Sequence, residues 1–437
     1  MKMSFKIGLS IAALMGGTAL VRAETITVAT VNNDDMVVMQ KLSPQWENAT
    51  GNKVNWVILE ENTLRQRVTT DIGTHGGSFD VVTIGAYETP IWAKKGWLTK
   101  LDDFGVDYDY DDLIPTVRNG LTVDGSLYAV PFYAESSFTL YRKDLFDQAG
   151  LKMPEQPKWD EIAQFADKLG DKSKDQYGIC LRGKPGWGEN MGLITTIANS
   201  FGGRWFDMAW TPQLTSEPWE KAAKFYVDLL RKDGPPGAPS NGFNENQALF
   251  AAGHCAIWVD ATSAAGRLYN KATSKVGDVL AFAQPPMEVT TKGAGWFWAW
   301  SLAIPSSTKQ EAAAKSFTKW ATSKDYVKLV AQNSGWVAAP PGTRKSTYEN
   351  PEYQKAAPFA DMVYKSLMSA DPTKPTKDPV PYVGIQFVTI PEFQGIGTNV
   401  GQDMAAAVSG QKSVTDALAN GQRSTERMMK QAGYIKE

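Results

Sequence analysis

The chain has 437 residues, 43% of them hydrophobic, with 45 basic and 47 acidic side chains and a formal net charge of −2. That length and apolar content support a large core divided over more than one lobe. The balanced charge excludes the basic excess that a nucleic-acid-binding domain carries.

The N-terminus reads as an export signal. Lys2 and Lys6 precede an apolar run from Ile7 to Leu20, and Val21-Arg22-Ala23 puts small residues where a signal peptidase cuts. The run is too short for a comfortable membrane span. Removing residues 1–23 takes away three basic residues and no acid, which leaves a net charge of about −5. No cysteine lies near the cut, which argues for a freely soluble periplasmic protein over a lipoprotein.

"TITVATV" (25–31) then alternates as a strand. A helical stretch follows, with an interruption expected near Pro44 and a stop at "NATGNK". "VNWVILEE" (54–61) is a second strand. "TLRQRVTTDIG" (63–73) sets Leu64, Val68 and Ile72 on one helical face, and "FDVVTIGA" (79–86) reads as a short buried strand. This order predicts a parallel α/β sheet. The turn "NNDDM" after the first strand lacks the glycines of a dinucleotide site. "DYDYDD" (107–112) spaces acids as a calcium loop does, without the glycine or the distal Glu, and reads as a solvated turn.

A second α/β series begins after residues 127–150. It runs through a helix at 158–170, a strand in "QYGICLRG", a helix at 217–234, the helix, strand and turn of "ALFAAGHCAIWVDATSAAG", and a strand in "GDVLAFAQPPM". Cys180 and Cys255 fall in two of these strands, so a bridge between neighbours and two buried thiols both fit. His75 and His254 are the two histidines, too few for a multi-histidine metal site or a His-dependent triad, and no metal or cofactor is expected. "GAGWFWAWSLAIP" (293–305) places Trp296, Trp298 and Trp300 on one face of an expected strand, with Phe297 and Ala299 on the other. A helix at 308–323, an exposed Pro-rich loop at 371–381 and a helical C-terminus broken at Gly410 complete the chain.

Five stretches in this order resemble the extracellular solute-binding proteins of ABC sugar importers. They are "FDVVTIGAYETPIWAKKGWLTKLDD", "AVPFYAESSFTLYRKDLFDQAGL", the "P-x-x-P-x-W-D-E-I-A" start of the 158–170 helix, "ALFAAGHCAIWVDATSAAG" and "GWFWAWSLAIPSSTKQEAAAKSFTKWATSKDY". Within that family "WVDATSAAG" and "GWFWAWSLAIP" look most like the sorbitol/mannitol (polyol) binding proteins. The resemblance implies the two-lobed α/β periplasmic binding protein fold (type II), with discontinuous lobes around a hinge cleft. One lobe would hold 24–133 plus about 300–340, the other 134–295 plus about 341–437, with crossings near 132–138, 294–300 and 335–345. It further implies a monomer that closes on a sugar alcohol, docks on the permease subunits of the inner membrane and performs no chemistry. A mono- or disaccharide is the alternative cargo. An exported glycoside hydrolase or lyase would also combine Trp platforms with paired carboxylates.

Ligands of open α/β sheets bind beyond the carboxyl ends of the strands. That rule nominates Asn33 and Asp34 after the first strand, Thr63 after the second, Tyr87 and Glu88 after the third, Glu135, Arg182 and Trp187, and Asp260. The set suits a polyol, whose hydroxyls need carboxylates, amides and guanidinium and whose C–H faces need aromatic rings. For Asn33, Asp34 and Asp260 a helix-capping role competes. Tyr87 and Glu88 fit a wall or plain surface, and Arg182 fits a ligand fork or a cleft ion pair. Glu60 and Glu61 fit strand-end ligands but read rather as exposed charge. The resemblance assigns ligand hydroxyls to Glu135 and ligand stacking to Trp296, with Trp298 as a second wall and Trp300 in packing.

Overall fold

The computed structural model describes residues 23–436; the export segment expected over 1–23 lies outside them except for Ala23. The strands are β1 (Thr25–Val31), β2 (Lys53–Leu59), β3 (Val81–Ile84), β4 (Thr122–Val123), β5 (Ser126–Leu127), β6 (Ala129–Glu135), β7 (Ser137–Arg142), β8 (Tyr177–Cys180), β9 (Cys255–Ala261), β10 (Leu280–Ala283) and β11 (Trp298–Ala303). Two sheets dominate. One has the order β2-β1-β3-β11-β6, the other β10-β7-β9-β8, and β4 and β5 form a small separate ladder. In the first, β1 runs parallel to β2 and β3, while β11 is antiparallel to β3 and β6. In the second, β8 and β9 are parallel and β7 is antiparallel to both β9 and β10.

The chain passes from the first sheet to the second through one residue, Ser136, between β6 and β7. It returns between β10 and β11. Ser136 is fixed there, because its amide donates to the Thr262 hydroxyl at 3.2 Å and its carbonyl accepts the Thr262 amide at 2.8 Å. A third segment lies against the same place: the Ala134 amide donates to the Pro341 carbonyl at 2.9 Å. Gly342 follows at φ +74°, where an added Cβ would sit 2.2 Å from the Ala134 oxygen, so only glycine fits this close approach.

Three local expectations are corrected. The helix Asp34–Thr50 runs unbroken through Pro44. Proline inside a helix costs about 3 kcal/mol. Here the helix buries Met36, Met39, Leu42 and Trp46, each stabilising by about 1.5–3 kcal/mol, and burial prevails. The second strand ends at Leu59, because the Glu60 carboxylate accepts the Thr63 amide at 3.1 Å and caps the next helix, Glu61–Gly73. The Trp segment becomes strand only at Trp298, and its pairing with β6 shifts register between Trp300 and Ser301.

The two cysteines are joined. Cys180 and Cys255 are fully buried and bridged, with Cα atoms 5.9 Å apart and a sequence separation of 75. The bridge ties β8 to β9 at the end of the sheet that carries Arg182. Closing a loop of this length restricts the unfolded chain. The protein unfolded without reductant should therefore show no reactive thiol. The Cys180→Ala/Cys255→Ala variant should lose about 2–4 kcal/mol of unfolding free energy in a denaturant titration.

Candidate functional site

The carboxyl ends of both sheets face one another across a cavity of about 40 Å³. Asn33 follows β1, Glu61 follows β2, Glu135 ends β6, and Arg182 follows β8. Ser263 follows β9, and Trp296, Trp298 and Trp300 come from the run into β11. The crossover connections thus deliver polar side chains from strands far apart in sequence to one place.

Two guanidiniums organise the walls. Arg182 donates through Nε to both Asp260 oxygens, at 3.1 and 2.9 Å, and through Nη2 to Oδ1 at 2.6 Å. Its Nη1 donates to the Gly188 carbonyl at 3.1 Å. The group lies 5.2 Å from the Phe243 ring centre and 5.3 Å from that of Trp296. Asp260 is wholly buried and also accepts the Trp258 indole N–H at 3.2 Å and the Ala261 amide at 2.7 Å. It stands behind Arg182 and holds it, and does not itself line the cavity.

Arg65, on the first polar face of the helix Glu61–Gly73, is the counterpart. It donates to Glu61 through Nε at 3.2 Å and Nη2 at 2.9 Å, and to Glu88 through Nη1 at 2.9 Å. Its guanidinium sits 4.0 Å from the ring centre of Trp187, 4.9 Å from Trp298 and 4.8 Å from Trp300, which are attractive cation–π distances. The second Glu88 oxygen accepts the Gly85 amide at 2.9 Å, so Glu88 positions Arg65 from outside the cavity. Gly85 has to be glycine for another reason: an added Cβ would lie 2.1 Å from the Trp298 ring.

The remaining acids are Glu135 and Glu189. One Glu135 oxygen accepts the Ser263 hydroxyl at 2.5 Å. Burial pushes its carboxyl up to about 8, with Asp260 and Glu61 adding to the rise and Ser263 and Arg182 opposing it. Glu189 is also raised, by burial and by the charge of Glu61. Its Oε2 is buried without a hydrogen bond, 3.6 Å from the Arg182 Nη1. On the aromatic side, the indole N–H groups of Trp296 and Trp298 are buried and unbonded. Trp298 meets Trp187 and Trp300 edge-on, at 5.9 and 5.4 Å. Asn33 lines the cavity with its amide on the Tyr133 hydroxyl at 2.7 Å.

Of the nominated residues, Asn33, Glu135, Arg182, Trp187, Trp296 and Trp298 lie on the cavity wall. Thr63 is exposed on the capped first turn. Tyr87 is buried beside the cavity, its hydroxyl on the Ile390 carbonyl at 2.8 Å and its ring 4.6 Å from Trp187. Asp34 stands at one rim, paired with Arg267 at 3.2 Å and with the Gln247 amide at 2.9 Å. At the other rim Glu60 pairs with Lys184 at 2.7 Å. The wall also holds Arg65, Glu189, Trp300 and Gln386, which strand-end reasoning did not nominate, and Glu61, for which it favoured exposed charge over a strand-end ligand. Glu61 and Arg65 carried one readable signal, an acid and a base four residues apart at a helix start. No group of three metal-ligating side chains occurs among the described residues.

Residues 31–328 match the family of bacterial extracellular solute-binding proteins. Over 415 residues the chain is 57% identical to the mannitol-binding protein of Pseudomonas aeruginosa, covering 95% of each. An ABC transporter solute-binding protein from Agrobacterium vitis S4, solved with bound D-mannitol, superposes with a TM-score of 0.94 at 59% identity, over 95% of this chain and 100% of that one. Another, from Agrobacterium radiobacter K84 in complex with ribitol, gives 0.82 at 25% identity, over 92% and 98%. The two-lobed α/β fold expected from the sequence is the fold of these structures.

The raised Glu135 carboxyl makes a signed pH prediction. Its folded value, about 8, lies above the ordinary 4.5, so the folded protein binds the extra proton between those values. Stability is greatest below about 4.5 in this respect and falls as pH rises to 8. Thermal unfolding should show that decline, and Glu135→Gln should flatten it.

Proposed function

The chain belongs to the bacterial extracellular solute-binding proteins, and from that premise we propose that it is the periplasmic capture component of an ABC importer for an acyclic hexitol of the mannitol or sorbitol type. One observation carries the ligand reading. The cavity wall combines Trp296 and Trp298, whose indole N–H groups are unbonded, with the carboxyl of Glu135 and the guanidinium of Arg182. A polyol chain has a hydroxyl on every carbon and C–H groups between them. Its hydroxyls accept from indole N–H and guanidinium and donate to carboxylates, while its C–H groups lie on the rings. The relative from Pseudomonas aeruginosa supports the same cargo.

Capture works by closure. The single-residue link at Ser136 and the neighbouring crossings act as the hinge, and the rim pairs Glu60–Lys184 and Asp34–Arg267 form only with the lobes together. The closed monomer then presents both lobes to the permease subunits, after export directed by residues 1–23. The relatives are binding proteins rather than enzymes, so the carboxylates of the cleft serve recognition and not glycoside hydrolysis.

A thermal-shift and calorimetric panel of D-mannitol, D-sorbitol, D-arabitol, D-glucose and maltose tests the reading. The hexitols should raise the melting temperature, because only the native state binds them. Tight maltose binding without a hexitol response would replace the polyol by a disaccharide. Trp296→Ala and Glu135→Ala should each weaken hexitol binding by about 1–3 kcal/mol, the usual cost of a buried hydrogen bond to a charged group or a stacking ring. Trp300→Ala should lower the melting temperature more than Trp296→Ala does, since Trp300 packs on Trp298 and Arg65.

A further inference from the structure

The charges around the cavity do not balance, and the imbalance points to a ligand class. Glu61, Glu88, Glu135, Glu189 and Asp260 stand about two guanidiniums, Arg65 and Arg182. Arg65 is committed to Glu61 and Glu88, and Arg182 to Asp260. The nearest further cation, Lys184, is bonded to Glu60 at 2.7 Å and stays 4.0 Å from Glu189. Glu189 thus shares Arg182, 3.6 Å away, with Asp260 and reaches Lys184 only at 4.0 Å, while Glu135 has no cation within ion-pair distance. Glu135 has one hydroxyl partner, and the Glu189 Oε2 has none although the residue is only 3% exposed.

Two ionised carboxylates in such surroundings are costly unless something positive joins them. The groups facing them carry both signs, with acids in excess. Glu135 meets Asp260, Glu61 and Asp35 as well as Arg182. Glu189 meets Glu61 and Asp260 as well as Arg182 and Lys184. Burial favours the protonated form of both carboxyls, and a ligand that brings its own positive charge would favour the ionised form instead.

We propose that the cavity binds 1-amino-1-deoxyhexitols, as cations, in preference to the neutral hexitols, with the ammonium facing the carboxylates of Glu135 and Glu189. This rests on the polyol reading and narrows its ligand class. The remaining hydroxyls keep the contacts of a neutral hexitol, and one proton leaves the protein as the ammonium enters. Hexonates, which carry a carboxylate at the same end, are excluded by like charge.

Calorimetry with D-mannitol, 1-amino-1-deoxy-D-mannitol and D-mannonate at pH 7 and pH 8, in two buffers of different ionisation heat, tests this. The amine should bind about tenfold tighter than D-mannitol at pH 8, in line with one partly desolvated charge pair. It should release up to one proton at pH 7, D-mannitol should release none, and D-mannonate should bind at least about tenfold more weakly than D-mannitol. Glu189→Gln and Glu135→Gln should each lower the ratio of amine to mannitol affinity and reduce the proton release. Equal or weaker binding of the amine, or amine binding without proton release, would overturn the cationic preference while mannitol binding keeps the polyol reading intact. Failure of mannitol and amine alike would remove the polyol reading, and this proposal with it.

Discussion

Two guanidiniums held between carboxylates and aromatic rings fix everything else in the cleft. Arg182 is chelated by Asp260 from behind and faced by Phe243 and Trp296. Arg65 is held by Glu61 and Glu88 and faced by three indoles. A guanidinium is always charged, planar and weakly hydrated, so it tolerates this burial where an ammonium would not. Because Arg65 follows the first sheet's β2 while its neighbour Trp187 follows the second sheet's β8, the same groups that shape the cavity also register the lobes. Trp187, which follows β8, stacks on Arg65 from the helix after β2.

The sequence exposed the frame well. Alternation in "TITVATV" and the buried run in "FDVVTIGA" placed β1 and β3, and the strand-end rule led to Asn33, Glu135 and Arg182 on the wall. What it missed has physical reasons. Glu61 read as exposed charge because the boundary between strand and helix depends on which carboxylate caps, and Glu60 takes that role. The helix Asn190–Ser200 is buried on every side, so it has no polar stripe to mark it. Glu189, just before it, therefore had no element to place it. Asp260 was legible as a strand-end acid, but whether such an acid points at ligand or at a neighbouring arginine is a tertiary matter. The disulfide likewise needed the adjacency of β8 and β9, which spacing along the chain does not encode.

The tryptophan run divides its labour along its length. Trp296 precedes the strand and meets Arg182, while Trp298 and Trp300 share a strand face and meet Arg65. The aromatic face ends at Trp300, where the pairing with β6 shifts register. One short segment thereby touches the charged centres of both lobes. A glycine at position 85 makes the space for it.

The rim pairs have a consequence of a different kind. Glu60–Lys184 and Asp34–Arg267 are partly open to water, with side chains between 23% and 43% exposed. Such pairs contribute about 0–1 kcal/mol each and weaken as dissolved ions screen them. They stand at the mouth of the cavity, each joining a residue that follows a strand of the first sheet to one that follows a strand of the second. The ionic strength around the protein thus sets how firmly this rim is held, a dependence that the buried pairs of Arg65 and Arg182 do not share.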